Sequence, residues 1–132
     1  MTQEEKELLL KDLCGRLPHM TIVATSDNDK SLENEWELLY INAKTEDAYL
    51  THNVENATKL LAIEEVKPYL FPLSSMTEDQ RIEYGRTLVI FNESHCSQTS
   101  ETYDWLNKNH FDYRGLIEKG LAIDATGLNI YY

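Results

Sequence analysis

The amino-acid sequence predicts an α+β domain, in which about three short helices pack on a small, largely antiparallel sheet. Short runs of β-branched and aromatic residues indicate strands, and they alternate with segments that carry helix-start and helix-stop signals. The predicted order along the chain is helix, strands, helix, strand, helices, strand. With 132 residues, 42% of them hydrophobic, the chain has the size and apolar content of one domain, which we assign to residues 1–132.

The first predicted helix begins close to the start of the sequence. Thr2 and Glu5 have the spacing of a capping box, in which each side chain bonds the other residue's free backbone N–H. Leucines follow at four-residue steps and form an apolar stripe, whereas Asp12 and Arg16 are expected to pair on the exposed side. The helix should end before Pro18, because the residue that precedes a proline is pushed away from helical angles.

Four strands are predicted in the first half of the chain. Residues 36–42 carry apolar side chains on both faces, which predicts a central strand covered on both sides. The polar residues 26–29 indicate a turn, because short polar side chains bond their own backbone. For residues 56–65 a helix is an equal alternative. The four strands are 21–25, 36–42, 48–51 and 59–63.

Two prolines determine the prediction for the centre of the chain. Pro68 and Pro72 frame residues 69–71, and prolines at this spacing prevent a regular helix. We therefore predict an extended connector that presses three large side chains into the core. Either Ser75 with Glu78 or Thr77 with Gln80 has the spacing of a capping box, so a second helix should begin there and end near Gly85.

The remaining elements follow from the usual helix and strand signals. Four consecutive apolar residues indicate a buried strand, acidic and basic residues at opposite ends indicate a helix, and a glycine that follows a helical turn indicates its end. In chain order they are a buried strand (88–91), a polar loop (94–100), a third helix (101–107), a helical turn capped by Asp112 that runs to Lys119 and ends at Gly120, and a last strand (121–123).

Composition limits the classes of partner. The net charge of −11, from 12 basic and 23 acidic residues, disfavours nucleic acid and anionic membranes, since their binding depends on Lys and Arg. The acidity is concentrated in residues 1–66, where it either aids solubility or forms a footprint for a basic partner, including mimicry of nucleic acid. Cys14 and Cys96 have no metal or redox spacing, which suits a reducing compartment, and neither a secretory signal nor a membrane span is predicted. We expect a cytoplasmic protein.

Aromatic side chains are dense towards the end of the chain. Residues 103–123 contain two Tyr, one Trp and one Phe, and rings of this size need a surface to pack on. We expect this segment to dock onto the core. Residues 130–132 are apolar as well, which suggests either a strand added to a sheet edge or a contact with a second subunit.

Three phrases of the sequence resemble a known family. They are EEKELLLKDLC at 4–14, KPYLFPLSSMTE at 67–78, and DWLN at 104–107 with HFDYRGLI at 110–117. The chain resembles the short hypothetical proteins of Bacteroides-type gut bacteria and of their prophages and mobile elements. The resemblance implies a genomic setting, but no activity, cofactor or site residue. It also implies that residues 20–66, where such proteins differ most, are the segment through which a specific partner would be recognised.

One cluster of residues has the types that acid–base and phosphate chemistry use. His110, Asp112, Tyr113 and Arg114 supply an imidazole, a carboxylate, a phenol and a guanidinium within five positions. We favour a structural interpretation, with His110 and Asp112 as ends and caps of two short helices, Tyr113 in packing and Arg114 paired with a carboxylate. The four His and two Cys show no ligand spacing and the five Gly form no phosphate-binding loop, so we predict no metal and no cofactor.

Three hypotheses for function follow. The first is a non-enzymatic interaction protein of a phage or mobile element, which binds a protein partner through an acidic, partly aromatic surface. The second is a small enzyme whose site is built around His110, Asp112, Tyr113 and Arg114, and it requires at least three of them in one pocket. The third is a structural component or homo-oligomer. We favour the first.

Overall fold

A computed structural model describes residues 1–25, 35–52, 57–92 and 95–131 of the protein. The α-helices within these ranges are α1 (Gln3–Arg16), α2 (Glu78–Arg86) and α3 (Ser100–Lys108). The strands are β1 (Ile22–Thr25), β2 (Trp36–Asn42), β3 (Asp47–His52), β4 (Ala57–Ala62), β5 (Val66–Pro72), β6 (Val89–Asn92), β7 (His95–Ser97), β8 (Phe111–Asp112) and β9 (Ile123–Asp124). The α+β prediction is confirmed. The turn predicted at 26–29 lies outside the described residues.

The main sheet is mostly antiparallel. Its strands follow the order β4-β3-β2-β1-β5-β8, and β9 also pairs with β5. The pairs from β4 to β5 are antiparallel, whereas the short strands β8 and β9 run parallel to β5. The helix alternative for residues 56–65 is wrong, because the described part forms β4 and a short 3₁₀ turn (Ile63–Glu65).

Strand β2 lies inside the sheet, as predicted, but only one of its faces is covered. Trp36 and Leu38 point into the core, and a bulge at Leu39 shifts the register to β3. Beyond the bulge, Leu39 and Tyr40 are exposed. The prediction of a strand covered on both sides is therefore wrong, because apolar side chains of its second face are exposed.

Helix α1 packs its leucine stripe on this sheet. Thr2 accepts the backbone N–H of Glu5 at 3.1 Å, so one half of the predicted capping box is confirmed. The Glu5 carboxylate accepts from the Thr2 hydroxyl at 3.2 Å in place of the Thr2 backbone N–H. Leu9 and Leu13 are fully buried, in a core that they share with residues of β1, β2, β3 and β5. This burial places the carboxyl end of α1, with Arg16, against the segment that holds β8.

The segment between the two prolines is a strand and not a connector. β5 pairs with β1 at Pro68, and with β8 at Pro72. Leu70 is fully buried, whereas Tyr69 and Phe71 are half-buried. Two prolines in seven residues argue against a central strand, and they obscured this one. The short partners β8 and β9 reach only residues 69–72, which leaves Pro68 opposite β1 alone.

The predicted buried strand at 88–91 lies instead in a separate two-stranded sheet. β6 pairs only with β7 among the described residues, and the side chain of Val89 is 45% exposed. The prediction of a loop at 94–100 is also wrong, because this segment contains β7 and the first residue of α3. Helix α2 starts with the predicted capping box of Thr77 and Gln80 and continues one residue past Gly85.

The last third of the chain is less regular than predicted. Helix α3 is confirmed, capped by Thr99. Residues 113–120 form turns and not a helix, although Gly120 has the predicted left-handed φ of 74°. The last strand is β9, two residues later than predicted. None of the helices in the described ranges is long and apolar enough to cross a membrane.

Candidate functional site

His110 follows helix α3 directly and has an unusual backbone. Its φ of 61° lies in the left-handed region, which is uncommon for residues other than glycine. The imidazole is 9% exposed and stacks on Tyr131, with ring centroids 3.6 Å apart and planes 10° apart. Its Nδ1 atom is buried and has no hydrogen-bond partner within the described ranges. Stacking on Tyr131 therefore contributes to holding the ring.

The surroundings of His110 favour its neutral form. Burial lowers the pKa of His110, and the positive charges of Arg16 and His19 act in the same direction, so that the pKa falls from 6.5 to about 4. At pH 7 the imidazole is therefore uncharged.

Asp112 uses its carboxylate as a cap. Oδ1 accepts the backbone N–H of Leu116 at 3.0 Å and of Arg114 at 3.3 Å, and Oδ2 accepts that of Ile117 at 2.9 Å. The side chain is buried. The carboxylate thus organises the turn that begins at residue 113, which is the structural role that the sequence favoured.

Tyr113 and Arg114 belong to a network that reaches helix α1. The phenol of Tyr113 donates to Oδ1 of Asn107 at 3.0 Å and accepts from Nη2 of Arg114 at 3.2 Å. Nε of Arg114 bonds Oδ1 of Asp12 at 3.2 Å, and the Arg114 guanidinium lies 4.8 Å from the Tyr113 ring centroid. The half-buried Tyr113 and the paired Arg114 match the structural interpretation.

Asp12 and Arg16 form the centre of this network, and the prediction of an exposed pair is wrong. Both side chains are fully buried, with Nε of Arg16 2.7 Å from Oδ2 of Asp12. Nη2 of Arg16 also donates to the carbonyl oxygen of Phe111 at 2.7 Å. The four-residue spacing signals an ion pair in the sequence, but the contact with residue 111 that buries it is not a local feature.

The structure does not bring the four predicted residues into one pocket. His110 lines a cleft of about 650 Å³, whereas Tyr113 and Arg114 line a different cleft of about 500 Å³. Asp112 lines neither of them. Neither of these two clefts therefore brings three of the four side chains together, as the enzyme hypothesis requires.

Tyr131 also belongs to this site, and the sequence did not predict the contacts of its side chain. Its hydroxyl accepts the N–H of Ile22 at 2.7 Å, and its proton faces the carbonyl oxygens of Tyr69 at 3.0 Å and Ile22 at 3.2 Å. Ile22 and Tyr69 would be the next pair of the β1–β5 ladder after Val23 and Pro68. The phenol is thus inserted between the two strands, and the apolar end of the chain is tied down without forming a strand.

A second feature lies on the opposite, outer side of the sheet. Tyr40, Tyr49 and Leu60 are directly opposite one another on β2, β3 and β4, and we call them the tyrosine face. The two phenol rings stack with centroids 4.1 Å apart and planes 14° apart. Tyr40 is 46% exposed and Leu60 is 51% exposed. Leu39, the bulge residue beside Tyr40, is exposed as well.

Comparisons give no homologous site to set beside these features. No family model, no curated protein and no solved structure matches the chain. Within the described ranges, no three His, Cys, Asp or Glu residues lie where they could hold one metal ion. The tyrosine face and the clefts are therefore the candidate sites of this protein.

Proposed function

We propose that this protein is a non-enzymatic interaction protein, and that it binds a protein partner through the tyrosine face. The observation that carries the proposal is an exposed apolar row in a chain with a net charge of −11. Exposed apolar side chains that are contiguous cost solubility, and in monomeric proteins they commonly mark interaction sites. Tyrosine is also among the residues that concentrate binding energy at interfaces.

The acidic side chains at the rim of the tyrosine face favour a partner with a basic surface. Register places Glu37 beyond one side of the row, opposite Thr51, and Asp47 beyond the other side, opposite Asn42. Alternation along β3 puts residues 47, 49 and 51 on the same outer face. An apolar centre between two carboxylates is complementary to a surface that has an apolar centre and basic flanks.

Strand β4 favours a partner that covers the tyrosine face over a partner that adds a strand at the edge of the sheet. In the part of the chain that the structure describes, no strand lies beyond β4. Lys59 of β4 turns inward, with Nζ 4.4 Å from the ring centroid of Trp36. Inward-pointing charges on outer strands are a common device against the addition of a further strand. A partner is therefore expected to cover the tyrosine face.

The family resemblance supports the same location. All three residues of the tyrosine face lie within residues 20–66, the segment that the resemblance marks as most variable. A phage or mobile-element protein that recognises its own specific partner would vary there. Homo-oligomerisation through the tyrosine face is the second candidate, because the same exposed row would be buried by a second copy.

The test is a matched pair of variants. The double variant Tyr40→Thr/Leu60→Thr keeps strand propensity but removes apolar area, and Ile82→Thr removes a comparably exposed apolar side chain from α2. We expect wild type and Ile82→Thr to capture the same protein from a bacterial host extract, and the double variant to lose it. Calorimetry with the purified partner should then show at least about tenfold weaker binding, or about 1.4 kcal/mol.

Two results would contradict this proposal. One is an equal loss of capture in both variants, and the other is the absence of any captured protein that depends on residues 40 and 60. Light scattering separates the second candidate, because a dimeric mass that the double variant abolishes would indicate self-association in place of a foreign partner.

A further inference from the structure

The cleft beside His110 is lined by residues that differ in composition from the chain as a whole. It lies where the segment after α1, the end of α3 and residues 130–131 meet, and its volume is about 650 Å³. Volumes of this size are typical of small-molecule sites. Its polar side chains are those of His19, Gln80, Lys108, Asn109 and His110.

The charge of the cleft opposes that of the whole chain. Lys108 lines it, and none of the described lining residues is acidic, although acidic residues outnumber basic ones 23 to 12 in the sequence. Arg16 lies close enough to act on His110, but its charge is balanced by its buried partner Asp12, so the positive charge of the cleft comes from Lys108. A positive hollow in an acidic protein attracts small anions and concentrates them.

The negative end of helix α3 does not cancel this charge. The carbonyl of Trp105 accepts both the backbone N–H and the side-chain Nδ2 of Asn109, at 3.1 and 2.9 Å. The carbonyl of Asn107 accepts the N–H of His110 at 3.2 Å.

His110 forms part of the wall of this cleft. Its ring is about nine-tenths buried, and Nδ1 has no partner within the described ranges. Buried polar atoms without partners are rare in native proteins, and they occur where a site stores strain, has a functional role or holds a water or an ion. The left-handed backbone at His110 adds strain, which is concentrated at functional positions.

The rest of the wall is apolar and aromatic. Phe71 and Tyr131 line the cleft, with ring centroids 5.9 Å apart. The Tyr131 ring is fixed by its hydroxyl and by the stacked His110, so this wall is formed before any ligand arrives. We propose that this cleft binds a small organic carboxylate, with its charged group at Lys108 and its apolar part against Phe71 and Tyr131.

The experiment compares an anion with its neutral analogue. ¹⁵N-labelled full-length protein is titrated at pH 7 with sodium benzoate, with benzamide and with inorganic phosphate, and amide chemical shifts are followed. We expect saturable shifts with benzoate, centred on residues 19–22 and 108–110, and none with benzamide. Lys108→Met should weaken benzoate binding about tenfold, the effect of losing one charge-assisted hydrogen bond.

A matched variant and three outcomes decide the proposal. Lys44→Met removes an exposed lysine that does not line the cleft, so it should leave benzoate binding unchanged. Equal shifts with benzamide and benzoate, saturation with phosphate alone, or equal losses in both lysine variants would overturn the carboxylate site. None of these results bears on the tyrosine face, so the two proposals can fail separately.

Discussion

At the scale of single residues, the buried ions of helix α1 dominate the energetics of the region around β8. Asp12 is in contact with two guanidiniums, those of Arg16 and Arg114, and has no exposed surface. Charges leave water at a high cost, which good pairing offsets. The network is therefore sensitive to the loss of one member, even though the intact pair adds little net stability.

Removal of the central carboxylate should reveal this asymmetry. Asp12→Ala leaves the buried Arg16 without its partner, so we expect the free energy of unfolding in urea to fall by about 3–5 kcal/mol. Asp104→Ala, which removes an exposed carboxylate from α3, should change it by less than about 0.5 kcal/mol. The apolar double variant Asp12→Leu/Arg16→Met should recover most of the loss. A fall of less than about 1 kcal/mol for Asp12→Ala would mean that water reaches the pair.

His110 gives a prediction about pH. Its folded-state pKa of about 4 lies below the ordinary value of 6.5, so the unfolded chain binds the proton more tightly. This contribution to stability is complete above pH 6.5 and is lost as the pH falls towards 4. His110→Asn removes the titrating ring and tolerates the left-handed backbone. We expect the free energy of unfolding in urea to fall more steeply between pH 6.5 and pH 4 for the wild type than for the variant. Parallel pH profiles would contradict it.

At the scale of elements, Tyr131 connects β1 to β5 where their ladder ends. Burial raises the pKa of Tyr131, so the hydroxyl stays protonated and forms hydrogen bonds with the backbone of both strands. Tyr131→Phe should lower the free energy of unfolding by about 1–3 kcal/mol, because it leaves backbone groups without partners. It should also speed hydrogen exchange at Ile22. Tyr84→Phe is the control and should have little effect, because the hydroxyl of Tyr84 accepts from the exposed side chain of Gln98. Unchanged exchange at Ile22 would argue against the inserted phenol.

At the scale of the whole molecule, the sequence predicts what is local and misses what depends on distant contacts. The cap at Thr2 and the capping box of Thr77 with Gln80 are confirmed, since each involves residues three apart. Strand β5 was missed, because its pairing with β1 overrides the local signal of Pro68. The roles of Asp112 and Arg114 follow from their chemistry, whereas the separation of His110 from them depends on how β8 and the end of the chain are placed.

Because the net charge is −11, the protein should become more stable as salt is added. Like charges repel one another most in the compact state, and about 0.15 M NaCl shortens the screening length from about 30 Å at 0.01 M to about 8 Å. The attractive pairs of Lys6 with Glu46 and Glu64 are partly exposed, so their loss by screening is small. We therefore expect the Tm to rise with salt, by about 4 °C if 1 kcal/mol of repulsion is relieved. The variant Asp104→Asn/Glu118→Gln removes two exposed negative charges and should show a higher Tm at low salt and a smaller salt effect. A Tm that falls with added NaCl would mean that attractive pairs outweigh the excess of negative charge.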